Sequence, residues 1–168
     1  MNFGELVYVC DSIELYHIHS YYDISEKFKL NQIISTIDFP KRESYNAPKK
    51  FREEEFEKIR LRSYNEFPSR SNCLFAIEKF DIETWSKRLY SRKPHYQLLK
   101  IELLDGKLTK LDDAIYESNG NETNDELALY FWSGCDVEEN SKPVILFEGR
   151  FKVVEVILQG INTLNQNE

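Results

Sequence analysis

The sequence predicts an α+β protein, in which helices and an antiparallel sheet are not regularly interleaved. Three observations support this prediction. Aromatic and β-branched residues are concentrated in short runs near both ends of the chain, as is typical of strands. A long charged segment in the first half has apolar residues at helical spacing. The order of predicted strands and helices lacks the βαβ alternation of a doubly wound sheet.

The length of 168 residues fits one domain, which we expect over residues 1–161, followed by a polar tail at 162–168. Hydrophobic residues make up 41% of the chain and aromatic residues 14%, which predicts a folded protein and excludes intrinsic disorder. No apolar run approaches the roughly 20 residues that cross a bilayer. The first residues lack the pattern of a signal peptide, so we expect a cytoplasmic protein without membrane contact.

The cysteines and histidines give little support for a metal site. Cys10, Cys73 and Cys135 are far apart and form no CxxC pair, which favours free thiols over zinc ligands or a disulfide framework. The chain has only 3 histidines. We therefore predict no metal site.

The net charge of −7 is unevenly distributed. Residues 101–168 contain 5 basic and 14 acidic side chains, a balance of −9, so the first hundred residues carry +2. Residues 86–100 contain no acid, and Tyr90, His95 and Tyr96 could stack on bases there. This segment leaves RNA or DNA binding open as one alternative, although the acidic balance opposes it.

The first elements are two short strands, over residues 6–10 and 13–18. An apolar stripe predicts a helix over residues 23–36, and Pro40 ends regular structure. A polar loop follows at residues 41–47.

A long charged helix begins near Pro48, where the fixed φ of proline suits a helix start. Its narrow apolar face, marked by Phe51, Phe56, Ile59 and Tyr64, places it on the outside of the protein, as a lid or flap. A strand over residues 73–77 follows, and then a helix from Asp81, its predicted N-cap, to about residue 90.

The second half begins with a strand over residues 96–103, ended by a predicted turn at Asp105-Gly106. A short helix is predicted over residues 126–132. Two final strands, over residues 144–147 and 151–157, are predicted to join across Glu148-Gly149.

The aromatic strand near the N-terminus carries the first candidate functional residue. Alternation along a strand puts Leu15, His17 and His19 on one face, and Tyr16 and Ile18 on the other. An imidazole in the middle of a strand must be hydrogen-bonded or must face a cleft. Two interpretations stay open: a core histidine bonded to a backbone carbonyl, or a ligand contact at the floor of a pocket.

Several common sites are excluded by the absence of their motifs. The sequence contains no GxGxxG, no P-loop and no GxSxG. No spacing of carboxylates singles out an acid/base pair.

The pattern Leu15-Tyr16-His17-Ile18, followed by a predicted helix, resembles the opening of the ADP-ribosyltransferase-like fold. Pro68-Ser69-Arg70 followed by Leu74-Phe75 is similar to a segment in a bacterial and phage branch of that group. The runs Tyr130-Phe131-Trp132-Ser133-Gly134 and Ile145-Leu146-Phe147-Glu148-Gly149 are similar to it as well. These segments occur in the expected order from residue 15 to residue 157.

The resemblance implies two small antiparallel or mixed sheets with flanking helices and a central cleft that holds NAD. It also implies transfer of ADP-ribose to a protein or nucleic-acid acceptor. His17 would contact a ribose hydroxyl, and Ser69 and Arg70 would bind the cofactor, with Arg70 on the pyrophosphate. The alternative for Arg70 is a loop-fixing hydrogen-bond donor to carbonyls. Phe75, Tyr16 or Tyr64 would stack on nicotinamide.

The catalytic glutamate departs from the family pattern. The family places it near the start of the penultimate strand, which reads Lys142-Pro143-Val144 here. Glu148 is the predicted catalytic carboxylate, and Glu139 is the alternative.

The missing glutamate, the acidic second half and the many aromatic residues also allow a different function. The chain could be a non-catalytic phage or mobile-element protein that binds and inhibits a host or defence protein.

Overall fold

The computed structural model describes residues 1–40, 46–89 and 93–161. The predicted tail at 162–168, most of the loop at 41–47, and Tyr90 lie outside the described residues.

The strands form one curled antiparallel sheet, so the α+β prediction is confirmed, whereas the expected two sheets are a single sheet in the described chain. Strands β5 and β6 pair along almost their whole length, β1 and β2 pair with β5, and β3 and β4 pair with β6. The six strands are β1 Leu6–Tyr8, β2 Ile13–Tyr21, β3 Ile33–Ser35, β4 Leu74–Ala76, β5 His95–Asp112 and β6 Pro143–Ile161.

Four α-helices accompany the sheet in the described residues. They are α1 Ala47–Ser63, α2 Ile82–Leu89, α3 Asp113–Tyr116 and α4 Asn124–Trp132. Helix α1 starts with the Asn46 side chain accepting a hydrogen bond from the Lys49 amide. Helix α4 starts with a capping box between Thr123 and Glu126.

The sheet separates two apolar cores. The helix-side core includes Ile18, Leu98, Val144 and Leu146 with the apolar faces of α1 and α4. The inner core, on the other face, contains these buried residues: Leu15, Leu74, Ala76, Leu99, Ile101, Leu103, Leu108, Ile145, Phe147, Phe151 and Val153. The alternation predicted for the strand around His17 is therefore confirmed.

Helix α1 has the narrow buried face that its spacing predicts. Phe56 and Ile59 are buried as predicted, whereas Phe51, which was predicted on the same face, is exposed. The Trp132 indole N–H of α4 donates to the Phe56 carbonyl over 2.8 Å, which joins the two helices. Among the described residues, no helix is long and apolar enough to span a membrane.

The prediction of a helix over residues 23–36 is wrong. These residues form a 3-10 turn at Ile24–Glu26, an irregular stretch and strand β3, and a second 3-10 turn, Thr36–Asp38, follows. Asn31 has a left-handed φ of 65°, which interrupts a right-handed helix. The Asn31 amide donates to the Val153 carbonyl, and the Val153 amide donates to the Gln32 carbonyl. Pairing with β6 therefore overrides the weak helical periodicity.

The predicted turns at Asp105-Gly106 and Glu148-Gly149 are also wrong. Both dipeptides lie inside continuous strands, where Gly106 pairs with Gly149. The register shifts between Leu103 and Asp105, which marks a bulge beside the pair. Positive φ angles of 119° and 153° explain the glycines at this irregularity.

Candidate functional site

The first candidate site lies where β2 and β4 meet. Tyr16 and Ile77 form an isolated antiparallel bridge, with backbone hydrogen bonds of 2.9 and 2.8 Å. The next rung of such a ladder would pair Ile18 with Phe75, and it is not formed. The His17 side chain takes the Phe75 carbonyl instead, with Nδ1 2.8 Å from the oxygen.

This hydrogen bond determines the tautomer of neutral His17. A carbonyl oxygen only accepts, so Nδ1 carries the proton that is donated to Phe75. The lone pair of the neutral ring is then on Nε2. The carbonyl partner is the one expected for a core histidine, and it also orients the ring as a ligand contact would require.

Aromatic rings surround His17 on the inner face of the sheet. The centroid of His17 lies 5.8 Å from that of His19 and 6.3 Å from that of Phe28. The Phe28 ring stacks on the His19 ring with 4.1 Å between their centroids. Further along β2, the Tyr21 ring stacks on the His95 ring of β5 with 5.3 Å between their centroids. We refer to His17, His19 and Phe28 as the histidine site.

We refer to residues 22–40 as the covering segment, whose first part, through Phe28, lies against the histidine site. The buried Gln97 amide holds Phe28 by two hydrogen bonds of 3.0 Å, accepting from its amide and donating to its carbonyl. His19 Nε2–H donates to the Glu26 carbonyl over 2.8 Å. The covering segment therefore places the Phe28 ring beside both imidazoles.

His19 is a neutral ring near neutral pH. Burial lowers its pKa below the usual 6.5, and the nearby Lys93 ammonium lowers it further, while the hydrogen bond to the Glu26 carbonyl opposes both effects. Since Nε2 carries the proton, the lone pair is on Nδ1.

Arg70 lies in the helix-side core, on the opposite side of the sheet from the His17 ring. Its Nη1 donates to Asp113 over 2.6 Å, and its Nε lies 3.4 Å from Glu53. The guanidinium stacks 3.8 Å from the Tyr116 ring centroid. Burial disfavours its charge, but Asp113 and Glu53 outweigh burial, so its pKa is raised. These contacts resemble the loop-fixing alternative, with carboxylates as acceptors.

The other predicted cofactor contacts also face the helices. The Tyr16, Tyr64 and Phe75 rings pack against the helix-side core. The Ser69 hydroxyl donates to Glu57 over 3.0 Å. Of the predicted cofactor-contacting side chains, only that of His17 lies on the inner face, and Phe75 reaches it through its carbonyl.

Glu148 lies in a different part of the sheet from His17. The register partner of Glu148 is Lys107, and that of His17 is Leu99, eight residues earlier on β5. Glu148 lines an open pocket of about 660 Å³, where its Oε1 is 3.6 Å from Lys107 Nζ. The alternative, Glu139, is exposed in the loop before β6.

Sequence reasoning missed two residues that shape the histidine site. Phe28 was assigned to a helix that does not form, and Gln97 was assigned only to a strand. A fully buried glutamine among apolar strand residues is the signal that could have indicated a polar contact at this position.

A third missed residue has a structural role. Buried Asp112 accepts hydrogen bonds from the amides of Ala114, Val137 and Lys142 and from the Ser141 hydroxyl, at 2.7 to 3.0 Å. This carboxylate ties the loop before β6 to the end of β5. Among the described residues, no group of three or more His, Cys, Asp or Glu could hold a metal ion.

Comparison with known proteins identifies the family but not an activity. Residues 12–159 match a family described as a protein of unknown function, DUF2441. The matched region includes both the histidine site and Glu148. A search of curated proteins finds no match. Because the match extends over most of its length, the chain belongs to the DUF2441 family.

Proposed function

We propose that this chain is an ADP-ribosyltransferase-like protein that binds NAD at the histidine site. The orientation of His17 carries the proposal. With Nδ1–H donated to the Phe75 carbonyl, the lone pair on Nε2 is suited to accept a hydrogen bond from a ribose hydroxyl.

The flat rings at the same site support binding of a base. Phe28 and His19 stack in nearly parallel planes, with an interplanar angle of 10°. In the proposal, Phe28 provides the stacking that the resemblance assigned to Phe75, Tyr16 or Tyr64. The proposal requires the covering segment to move, so that the nucleotide can enter between Phe28 and His17.

A positive charge near the site supports binding of the pyrophosphate. Lys93 is close enough to lower the His19 pKa, and its ammonium lies 5.2 Å from the Tyr22 ring centroid. In the proposal Lys93 takes the electrostatic role assigned to Arg70, whose guanidinium is paired with Asp113.

The proposed reaction transfers ADP-ribose from NAD to a protein or nucleic-acid acceptor. The bond between the ribose C1′ and the nicotinamide nitrogen breaks, and neutral nicotinamide leaves. The acceptor nucleophile forms a bond to C1′ and loses a proton. Glu148, the carboxylate predicted from the sequence, lies in a different part of the sheet from the histidine site, so the proposal assigns no carboxylate to this step.

Calorimetry on the full chain with NAD, ADP-ribose and nicotinamide tests the binding step. We expect His17→Ala to weaken NAD binding by about tenfold or more, because a hydrogen bond to the ribose is lost. The matched control is His95→Ala, which removes an imidazole from the neighbouring strand. Absence of NAD binding to the unaltered chain would refute the proposal.

Labelled NAD and a cell lysate test the transfer step. Transfer predicts label on a macromolecule and its loss in His17→Ala. NAD binding without label would leave a nucleotide-binding protein and contradict the transferase.

One observation favours the second candidate, a non-catalytic protein that binds and inhibits a host or defence protein. The covering segment exposes large apolar side chains, and such clusters often mark protein contacts. They are Tyr22, Ile24, Leu30, Ile33 and Ile37. A stoichiometric partner in a pull-down that is retained by His17→Ala and lost in Ile24→Asp would support this function.

A further inference from the structure

The pocket that contains Glu148 is a second concave site, separate from the histidine site. Its volume of about 660 Å³ lies within the usual range for small-molecule sites, about 300 to 1,000 Å³. The paired Gly106 and Gly149 line it, so part of its wall is bare backbone.

Two apolar groups on this pocket are open to solvent. Tyr8 is 57% exposed and Ile37 is 79% exposed. Both line the pocket. An aromatic or aliphatic group bound between them would be removed from water together with both side chains, which favours binding.

The charged groups of the pocket form a loose pair. Lys107 Nζ lies 3.6 Å from Glu148 Oε1, beyond the roughly 2.7–2.9 Å of a charge-assisted hydrogen bond. Both side chains are partly exposed. A pair of this kind contributes little to stability, so both groups keep hydrogen-bonding capacity for a ligand.

Uncharged polar groups complete the pocket. Tyr8, Ser35 and Asn72 line it, and each has a hydroxyl or an amide in its side chain. None of these three side chains hydrogen-bonds to another residue within 1–40, 46–89 or 93–161. They can therefore donate to or accept from a bound molecule.

We propose that this pocket binds a small zwitterion, namely a free amino acid with an aromatic or aliphatic side chain. The ligand carboxylate contacts Lys107, and its ammonium contacts Glu148. In the ligand, the ammonium and the carboxylate are attached to the same carbon atom. This arrangement of opposite charges matches the adjacent opposite charges of Glu148 and Lys107. The ligand side chain lies between Tyr8 and Ile37. This site is independent of NAD binding.

Calorimetry on the full chain with L-phenylalanine and L-leucine tests the proposal. N-acetyl-L-phenylalanine and L-phenylalanine amide each lack one of the two charges. We expect saturable binding of at least one of the two amino acids. A derivative that lacks one of the charges should bind about tenfold or more weakly than the amino acid from which it is made.

Variants locate the binding. Lys107→Gln and Glu148→Gln should each weaken it by about tenfold or more. The matched control is Lys100→Gln, which removes the cation of another cross-strand ion pair, 2.8 Å from Glu14. Circular dichroism checks that each variant is folded. The proposal is overturned if neither amino acid binds, if the derivatives bind equally well, or if all three variants behave alike.

Discussion

Gly106 and Gly149 face each other across β5 and β6 so closely that neither position has room for a Cβ atom. A Cβ on Gly106 would lie 2.1 Å from the backbone carbonyl oxygen of Glu148. A Cβ on Gly149 would lie 2.1 Å from the backbone carbonyl oxygen of Asp105. The obstructing atoms are backbone, which cannot rotate away. The close approach lets two long strands remain paired through the bulge, and it also forms one wall of the pocket beside Glu148.

Replacing either glycine with alanine should destabilise the protein. We expect Gly106→Ala to lower the free energy of unfolding by about 2 kcal/mol or more, because of backbone strain and steric overlap. Urea denaturation followed by circular dichroism measures this loss. The control is Gly120→Ala, where the added Cβ meets only the flexible Glu122 carboxylate. Equal stability of the two variants would contradict the steric argument.

The ion pair of Arg70 and Asp113 predicts a structural role for the arginine. Arg70→Met leaves a buried carboxylate unpaired, so we expect a loss of about 3–5 kcal/mol in unfolding free energy. Arg62→Met, at an exposed position of α1, is the control. Adding Asp113→Asn to Arg70→Met should recover part of the loss. A small change in stability together with a large loss of NAD affinity would instead support the predicted pyrophosphate contact.

The lowered pKa of His19 predicts that stability decreases in mild acid. The unfolded chain binds a proton near the ordinary pKa of 6.5, whereas the folded chain resists protonation until a lower pH. Protonation therefore favours the unfolded state as pH falls through this window. Unfolding free energies at about pH 7.5 and about pH 5.5 measure the effect.

The pH dependence should be smaller in His19→Gln than in the unaltered chain. His95→Gln is the matched control and should keep the His19 contribution. A His19→Gln variant with the same slope as the unaltered chain would show that His19 is not its source.

The two hydrogen bonds between the Gln97 side chain and the Phe28 backbone should hold the covering segment in place. Gln97→Ala removes both bonds to the Phe28 backbone, so amides in residues 22–40 should exchange hydrogen about tenfold faster. Mass spectrometry of peptides from this segment measures the exchange. Gln159→Ala, which removes only a 3.4 Å contact to Gln97, is the control. Unchanged exchange in Gln97→Ala would mean that the segment is held by the pairing of β3 with β6 and by the hydrogen bond that the Gly149 amide donates to the Thr36 hydroxyl.

Local patterns in the sequence predicted the strands and helices whose packing agrees with their periodicity. Alternation around His17 predicted its face on β2, and spacing predicted the buried Phe56 and Ile59 of α1. The predictions from local patterns failed where contacts with distant residues determine the conformation. Residues 23–36 are shaped by β6, and the glycines of two apparent turns pair with each other.

Local sequence patterns were enough to predict the mixed α+β class, the positions of most elements and the face of the sheet that carries His17, because hydrophobic periodicity acts between near neighbours. The partners of the candidate functional residues, in contrast, depend on the three-dimensional fold. Arg70 is bound to Asp113, 43 residues away, and His17 to Phe75, 58 residues away. Such pairings depend on how the curled sheet brings distant strands together, and no local pattern of residues specifies that arrangement.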